Sequence, residues 1–555
     1  MVIYSKEQVV IIKTILLSLI FIGCVANNTA NPALQRNEAE STLVIGSRIG
    51  PGIFFPAYLT STFDKAVTDL VFESLYKFNS ITNSYDAVLA QALPQISEDG
   101  TSYLITLQPN ITFSDGSRLT TRDVAFSYTL LADSSYTGFN RFFSEGLVGY
   151  DDYRSGYSNS FAGLNIIDDY NIEFIFTTSR LRNMAMLELP IVSAGYYHYP
   201  RGEQTILQSL FSSPLGSGRY ILANYERGAA ISLHKNINYW KNNEVIPNIK
   251  IVAVTASTEL NLLLNGTIDM LVGVNLPAKV EQALNAPFIN YSSYPRAGYN
   301  FLQFNLNDPQ LQDVKVRQAL NYGFNRALYQ AIYLGDLAVD VPSPIDPNWL
   351  NLATNELNIS NYAYNPILAA ALLDEVGFTL SGDGFRYKDG QRLTVNWLAV
   401  KESIVTDIAV PIISENFRAL GIDLNISFTD THSLLAAVNG GQGGFTMASL
   451  SLFEEALPYN IVERWRSGSR QNTAGLNDAE NDNLLQLFNN VQNIDELNNY
   501  FTLWLNRFNY LAPAIMLHSS LYFDLYNERI NGVATTSHFT FRDNIPYLTI
   551  KEVTE

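Results

Sequence analysis

A single cysteine, Cys24, stands in a chain of 555 residues. No disulfide framework, multi-thiolate zinc site or iron–sulfur cluster can hold such a chain together, so its fold must rest on burial and hydrogen bonding. The material for that is present: 47% of the residues are apolar and only 16% are charged, a composition that packs instead of staying a solvated polyelectrolyte. At roughly 150 residues per domain, the length predicts three or four domains or one large multi-lobed body. Lys and Arg number 35 against 53 Asp and Glu, a net charge of −18. That balance opposes nucleic-acid phosphates and anionic lipid surfaces, both of which need basic patches, so no nucleic-acid partner is expected. The five histidines, His198, His234, His432, His518 and His538, are scattered without paired spacing, and no metal site is expected. With no G-x-S-x-G and no H-E-x-x-H in the chain, no catalytic residue is assigned and an enzyme is not expected.

At the amino end, Lys6 and Lys13 stand against Glu7, and an apolar run from Ile15 to Ile22 leads into Gly23-Cys24. A charged start and a short apolar run read as a signal peptide, and Lys13 leaves the run too short to span a membrane. The alanine-type cleavage pattern is absent. Gly23-Cys24 resembles instead a bacterial lipobox, in which the cysteine is lipidated on sulfur and becomes the first mature residue; Phe21 and Ile22 replace the usual leucine and small residue. The expectation is a lipoprotein signal peptide over 1–23, lipidation at Cys24, and a lipidated tether over 24–41, small and polar with no apolar period. An uncleaved anchor, or an ordinary signal with a buried cysteine, is the alternative.

No repeat of fixed period appears in the body, so mixed elements are expected. Thr42–Gly46 reads as a strand, and Phe63–Phe78, with Val67, Leu70, Val71, Ser74 and Leu75 on one face, predicts a helix. The turns Glu98-Asp99-Gly100 and Ser114-Asp115-Gly116 set Tyr103–Leu107 and Ile111–Phe113 in an antiparallel meander. Asn365 as cap, Pro366 in the first turn and Gly377 as left-handed stop bracket another helix. Asp313 precedes a helix predicted over Val314–Leu328, with Val316, Leu320, Phe324 and Leu328 on one face. Lys388-Asp389-Gly390 marks a hairpin between Phe385–Tyr387 and Leu393–Val395.

Four segments then occur in a telling order. Phe113, Asp115, Gly116, Leu119, Thr120, Asp123, Val124, Phe126 and Ser127 match "F-x-D-G-x-x-L-T-x-x-D-V-x-F-S". Pro214–Tyr220 with Asn236–Trp240 match "P-x-G-T-G-P-Y … N-x-x-Y-W", Arg219 replacing the proline. Asn305–Arg326 is close to "N-x-x-x-P-x-x-D-x-R-V-R-x-A-L-x-x-A-I-D-R", and Tyr364–Phe378 to "Y-D-P-x-x-A-x-x-L-L-x-E-A-G-F". Together they resemble the solute-binding proteins of peptide-type ABC importers, the oligopeptide and dipeptide family 5. Residue by residue, Asp115-Gly116 and Gly216–Gly218 read as turns, Asp123 and Asp313 as helix caps, and Arg317 as a structural ion pair.

The resemblance implies an α/β (mixed α+β) architecture: a two-lobed periplasmic-binding-protein-like class II fold with an extra inserted domain in the first lobe. The first lobe would combine 42–85, 206–296 and 516–555, the inserted domain 86–205, and the second lobe 297–515. A ligand would sit between lobes that close about a hinge, creating the surface a transporter recognises. The implied protein is a monomer without cofactor, exported and lipid-anchored to a bacterial membrane, capturing peptides for an ABC import permease. The same fold binding a nickel chelate, a sugar or another solute, or sensing peptides at the surface without transport, is the alternative.

A peptide brings an ammonium and a carboxylate into a low-dielectric gap, and each needs a partner. In relatives an aspartate after a "yD…GW" segment holds the ammonium. Here that segment is Gly444–Glu455, with Thr446 and Leu452 at the aspartate and tryptophan places, so Glu455, or failing that Glu454, falls at the ammonium partner's position. Lys401, just after Val395–Val400, is the candidate for the carboxylate, as a point charge without arginine's fork. A solvated loop acid and an exposed lysine are the alternative readings. The Gly440–Gly444 run reads as a mobile loop; no Lys-Ser/Thr follows to make it a phosphate cradle.

Overall fold

The computed structural model describes residues 31–35, 41–82, 84–242, 244–341, 343–344, 353–354, 356–440, 444–453, 458–459 and 461–551. Thr42–Ser47 (β1) does not alternate; five of its six residues are buried. Leu43 and Ile45 point into one apolar cluster and Val44 into another, as in a strand covered on both faces. It lies in a twelve-stranded sheet with Tyr220–Glu226 (β2), Ala230–Lys235 (β3), Asn248–Ala253 (β4), Met270–Val274 (β5), Ile289–Pro295 (β6), Gly298–Phe304 (β7), Ala338–Val339 (β8), Thr394–Val400 (β9), Asp423–Thr429 (β10), Met447–Phe453 (β11) and Ala514–Asn527 (β12). The order is β10-β9-β11-β7-β12-β5-β1-β4-β3-β2, with β6 and β8 also paired to β12. β12 is shared: its start pairs with β7, and from Leu521 onward it pairs with β6.

Burial divides along that shared strand. One core runs from Leu43 to Met270 and gathers Ile530, Ile545 and Leu548; the other runs from Tyr299 to Leu517. Each packs a mixed sheet against helices, giving two lobes. Against the first lies a four-stranded sheet ordered Gln95–Ile96, Ser102–Thr106, Asn171–Ile175, Leu164–Ile166. The meander expected through Ile111–Phe113 is therefore not formed. Asn171–Ile175 takes the neighbouring place, and Thr112 only bridges Arg118 across the Asp115-Gly116 turn.

The helix expected over 63–78 is Thr62–Val71 (α1), capped by the Ser61 hydroxyl. It stops because Gly218 N–H takes the Val71 carbonyl at 2.8 Å. A Cβ at Gly216 would lie 2.0 Å from Val71 O, and one at Gly218 2.5 Å from Leu70 O, so these glycines permit close backbone contact instead of serving as a turn. The remainder becomes the strand Tyr76–Asn79, paired with Ser84–Ala87. Tyr239 and Trp240 of the same motif donate to the Glu73 carboxylate at 2.5 and 2.9 Å, whose pKa burial pushes up.

The helix expected over 314–328 is two. Asp313 caps Val314–Tyr322 (α2), as expected, but Gly323 ends it, and the Asn325 side chain caps Arg326–Tyr333 (α3). Arg317 departs from its expected ion pair: its guanidinium donates to the carbonyls of Leu511, Leu311 and Gln312. At Thr121–Ala132 the cap is Thr120, and Asp123 closes the capping box three residues in. Asn365, Pro366 and Gly377 bracket Pro366–Glu375 as expected. The Asp389-Gly390 turn has both residues at positive φ, but its return strand is Gln391–Arg392; Thr394 already begins β9.

Candidate functional site

Strand direction locates the cleft. β4 and β5 run parallel to β1, and β6 shares their sense because both β5 and β6 are antiparallel to β12. Their carboxyl ends, Ser47, Ala253, Val274 and Pro295, therefore lie at one edge. In the other lobe β11 is antiparallel to β7, and β9 and β10 run parallel with β11, so Val400, Thr429 and Phe453 end at the matching edge. Both edges face Arg296-Ala297, the link from β6 to β7, and open α/β sheets bind ligands outside the carboxyl ends of their strands.

Two chain segments cross between the lobes here, and they are bonded together. Arg296 N–H donates to Ser520 O at 2.7 Å, and Ser519 Oγ donates to Arg296 O at 3.1 Å. Gly298, paired with Phe453, opens β7 at φ +125°. The Arg296 guanidinium donates to Ser451 Oγ at 3.1 Å and lies 4.2 Å from the centre of the Phe453 ring, whose side is 57% exposed. This puts a cation and an apolar surface beside the crossing.

Two buried titratable groups flank the same point. His518 lies between the Asn300 amide and the Tyr329 hydroxyl, each at 3.1 Å. Burial, helped by the Arg296 charge, pulls its imidazole down to about 3, so it is neutral at pH 7. Asp524 accepts Gly273 N–H at 2.8 Å and the Tyr294 hydroxyl at 2.9 Å. A β-bulge between Leu271 and Val274 aims that amide, with Gly273 at φ +69°. Burial pushes Asp524 up to about 6.

These shifts act oppositely on stability. His518 contributes stability fully above about pH 6.5, lost as pH falls toward 3; Asp524, raised when folded, contributes stability below about pH 4, lost as pH rises through 6. In urea titrations from pH 7 to 4, His518→Gln should gain stability relative to wild type as pH falls and Asp524→Asn should lose it, each by up to about 1.4 kcal/mol per pH unit. Parallel pH profiles for all three proteins would contradict this.

Lys401 is exposed in the turn after β9, its N–H bonded to Thr429 O at 2.8 Å, and so stands at the second lobe's carboxyl edge. Glu454 and Glu455, directly after Phe453, and Cys24 lie outside the described residues, as do residues 441–443 of the glycine run. Thr446 is buried and donates to Asp308 Oδ2 at 2.9 Å. Sequence reasoning missed Arg296, Phe453, His518 and Asp524; the one local cue was Pro295-Arg-Ala-Gly298 breaking an aromatic-rich run. Among the described residues no three His, Cys, Asp or Glu side chains group to hold a metal, and no helix is long and apolar enough to cross a membrane.

The model of the bacterial extracellular solute-binding proteins, family 5, matches residues 85–473. Heme-binding protein A of Haemophilus influenzae is 26% identical over 377 residues, 65% of this chain and 67% of that protein. The oligopeptide-binding protein AppA of Bacillus subtilis is 23% identical over 479 residues, 83% of each. Its structure with a nonapeptide superposes with a TM-score of 0.75 at 19% identity, covering 92% of this chain and 99% of that one. NikZ of Campylobacter jejuni, solved with Ni(L-His), gives 0.75 at 22% identity, with the same coverage of both chains. These superpositions show the shared two-lobed fold.

Proposed function

This chain belongs to the bacterial extracellular solute-binding proteins of family 5, and from that membership we propose that it captures peptides between its two lobes and delivers them to an ABC import permease. One observation carries the reading: the carboxyl edges of both lobes' strands meet at two bonded crossing segments, the geometry of a cleft that closes by hinge motion. The peptide assignment draws on the likeness to AppA. The first lobe would comprise 42–85, 206–296 and 516–555, with 86–205 inserted and sharing its core, and the second 297–515; the two separate cores support the division into two lobes. The protein acts by binding, as a monomer without catalysis or cofactor, exported through the signal at 1–23 and held to a membrane by acyl chains on Cys24. Glu455, with Glu454 beside it in the sequence, takes the ligand ammonium, and Lys401, in the turn after β9, its carboxylate.

Native mass spectrometry of the gently purified protein, challenged with a random peptide mixture, tests this reading. A ladder of added masses that sequence as peptides is expected, with Glu455→Gln and Lys401→Ala each weakening retention about tenfold or more, the loss of a charge-assisted contact in a desolvated site. A single mass that no peptide displaces, such as a metal chelate or a haem, would overturn it in favour of another solute.

A further inference from the structure

The first described residues are fastened to the body. Asn31 and Asn527 exchange amide hydrogen bonds: Asn31 Nδ2 donates to Asn527 Oδ1 at 2.7 Å, and Asn527 Nδ2 donates to Asn31 Oδ1 at 2.8 Å. Asn31 Nδ2 also reaches Glu528 Oε1 at 3.3 Å, and Asn31 Oδ1 accepts the Ala33 N–H at 3.1 Å, starting the turn Pro32–Gln35. Both asparagines are buried, and Ala33 is wholly so. Ala33 lies on the bare backbone of Gly266, where a Cβ would come within 2.4 Å of Ala33 N and where φ is +74°. A reciprocal pair of buried carboxamides satisfies a donor and an acceptor on each side chain, so separating it leaves four polar groups to be rehydrated. Beneath it, Asn527 Oδ1 also accepts the Arg529 N–H at 3.1 Å, and Arg529 is locked to Asp269.

The place of this contact matters. Asn527 ends β12, whose Ser519 lies at the crossing. Eight residue steps of strand separate them, about 26 Å at 3.3 Å per step, so the contact sits at the pole of the first lobe away from the cleft. We propose that Asn31–Ala33 is a clasp holding the amino-terminal segment to that pole. The lipidated protein would then be leashed by the stretch from Cys24 to Asn31 and not by the whole of 24–41. This rests on reading Cys24 as the acylated residue. The short leash reaches at most about 25 Å and the full one about 60 Å. With the clasp shut, the first lobe is the body held near the membrane, with the crossing segments farther out, and the second lobe is the one that swings.

Hydrogen exchange of the full-length protein, read by mass spectrometry over residues 31–35, tests the clasp. Asn31→Ala, which removes no group from the body, should raise exchange there at least tenfold and leave ligand retention unchanged; Gly266→Ala should raise it likewise by displacing Ala33, with a lower melting temperature because alanine is strained at φ +74°. A wild-type segment exchanging as fast as the Asn31→Ala segment overturns the clasp. The mass of the amino-terminal peptide separately reports the anchor: acyl chains on Cys24 support the leash, and an unacylated Cys24 overturns it while leaving the exchange result to judge the clasp.

Discussion

Replacing Asp269 by asparagine is expected to destabilise the protein by about 3–5 kcal/mol, read as a lower urea midpoint, because it strands a buried arginine. Asp269 is fully buried and Arg529 nearly so. The pair is bidentate, with Arg529 Nε to Asp269 Oδ1 and Nη2 to Oδ2, both at 2.7 Å. Asp269 Oδ2 also accepts the Val44 N–H at 2.8 Å, and Arg529 Nη2 donates to Thr42 O at 2.8 Å. One ion pair thus fastens the start of β1, the start of β5 and the far end of β12. The double change Asp269→Leu with Arg529→Met should cost less than Asp269→Asn alone, since exchanging a buried pair for apolar residues removes both desolvation penalties. A single variant as stable as wild type would contradict this account of the first lobe.

Gly298→Ala is expected to cost both stability and function. Its Cβ would lie 2.1 Å from Leu452 O and 3.0 Å from Phe453 Cα, at a φ of +125° that glycine alone tolerates. Strain and displacement together should cost about 2–4 kcal/mol. The movement they force falls on the end of β11, which carries Phe453 and leads into Glu454, so peptide affinity should fall at least tenfold even where the variant remains folded. Calorimetric titration of the folded fraction checks it; unchanged affinity would show that the β7–β11 approach does not shape the site.

What could be read from the sequence was what is encoded within a few residues. Asn365, Pro366 and Gly377 bracket their helix because caps act locally, and Asp389-Gly390 turns because both residues accept positive φ. Where distant chain decides, local pattern misled. The apolar face of Phe63–Phe78 continues past Val71, yet Gly216 and Gly218, far along the chain, close the helix there. The four-residue spacing from Val316 to Leu328 runs across Gly323 and Asn325, whose stop and cap signals were outweighed by periodicity. Arg317 read as an ion-pair residue because carbonyl acceptors leave no mark in a sequence. The same holds for the site. Lys401 could be singled out because it directly follows a recognisable strand, but the Arg296–Phe453 contact joins residues more than 150 positions apart and His518 meets Asn300 across 218, so neither was visible without the sheet register.

Small-angle X-ray scattering of the full-length protein, with and without a peptide recovered from it, tests the central claim most directly. Closure of the two lobes about Arg296-Ala297 and Ser519-Ser520 predicts a smaller radius of gyration in the presence of peptide, with Glu455→Gln requiring more peptide to reach it. An unchanged scattering curve at saturating peptide would contradict a hinged peptide carrier.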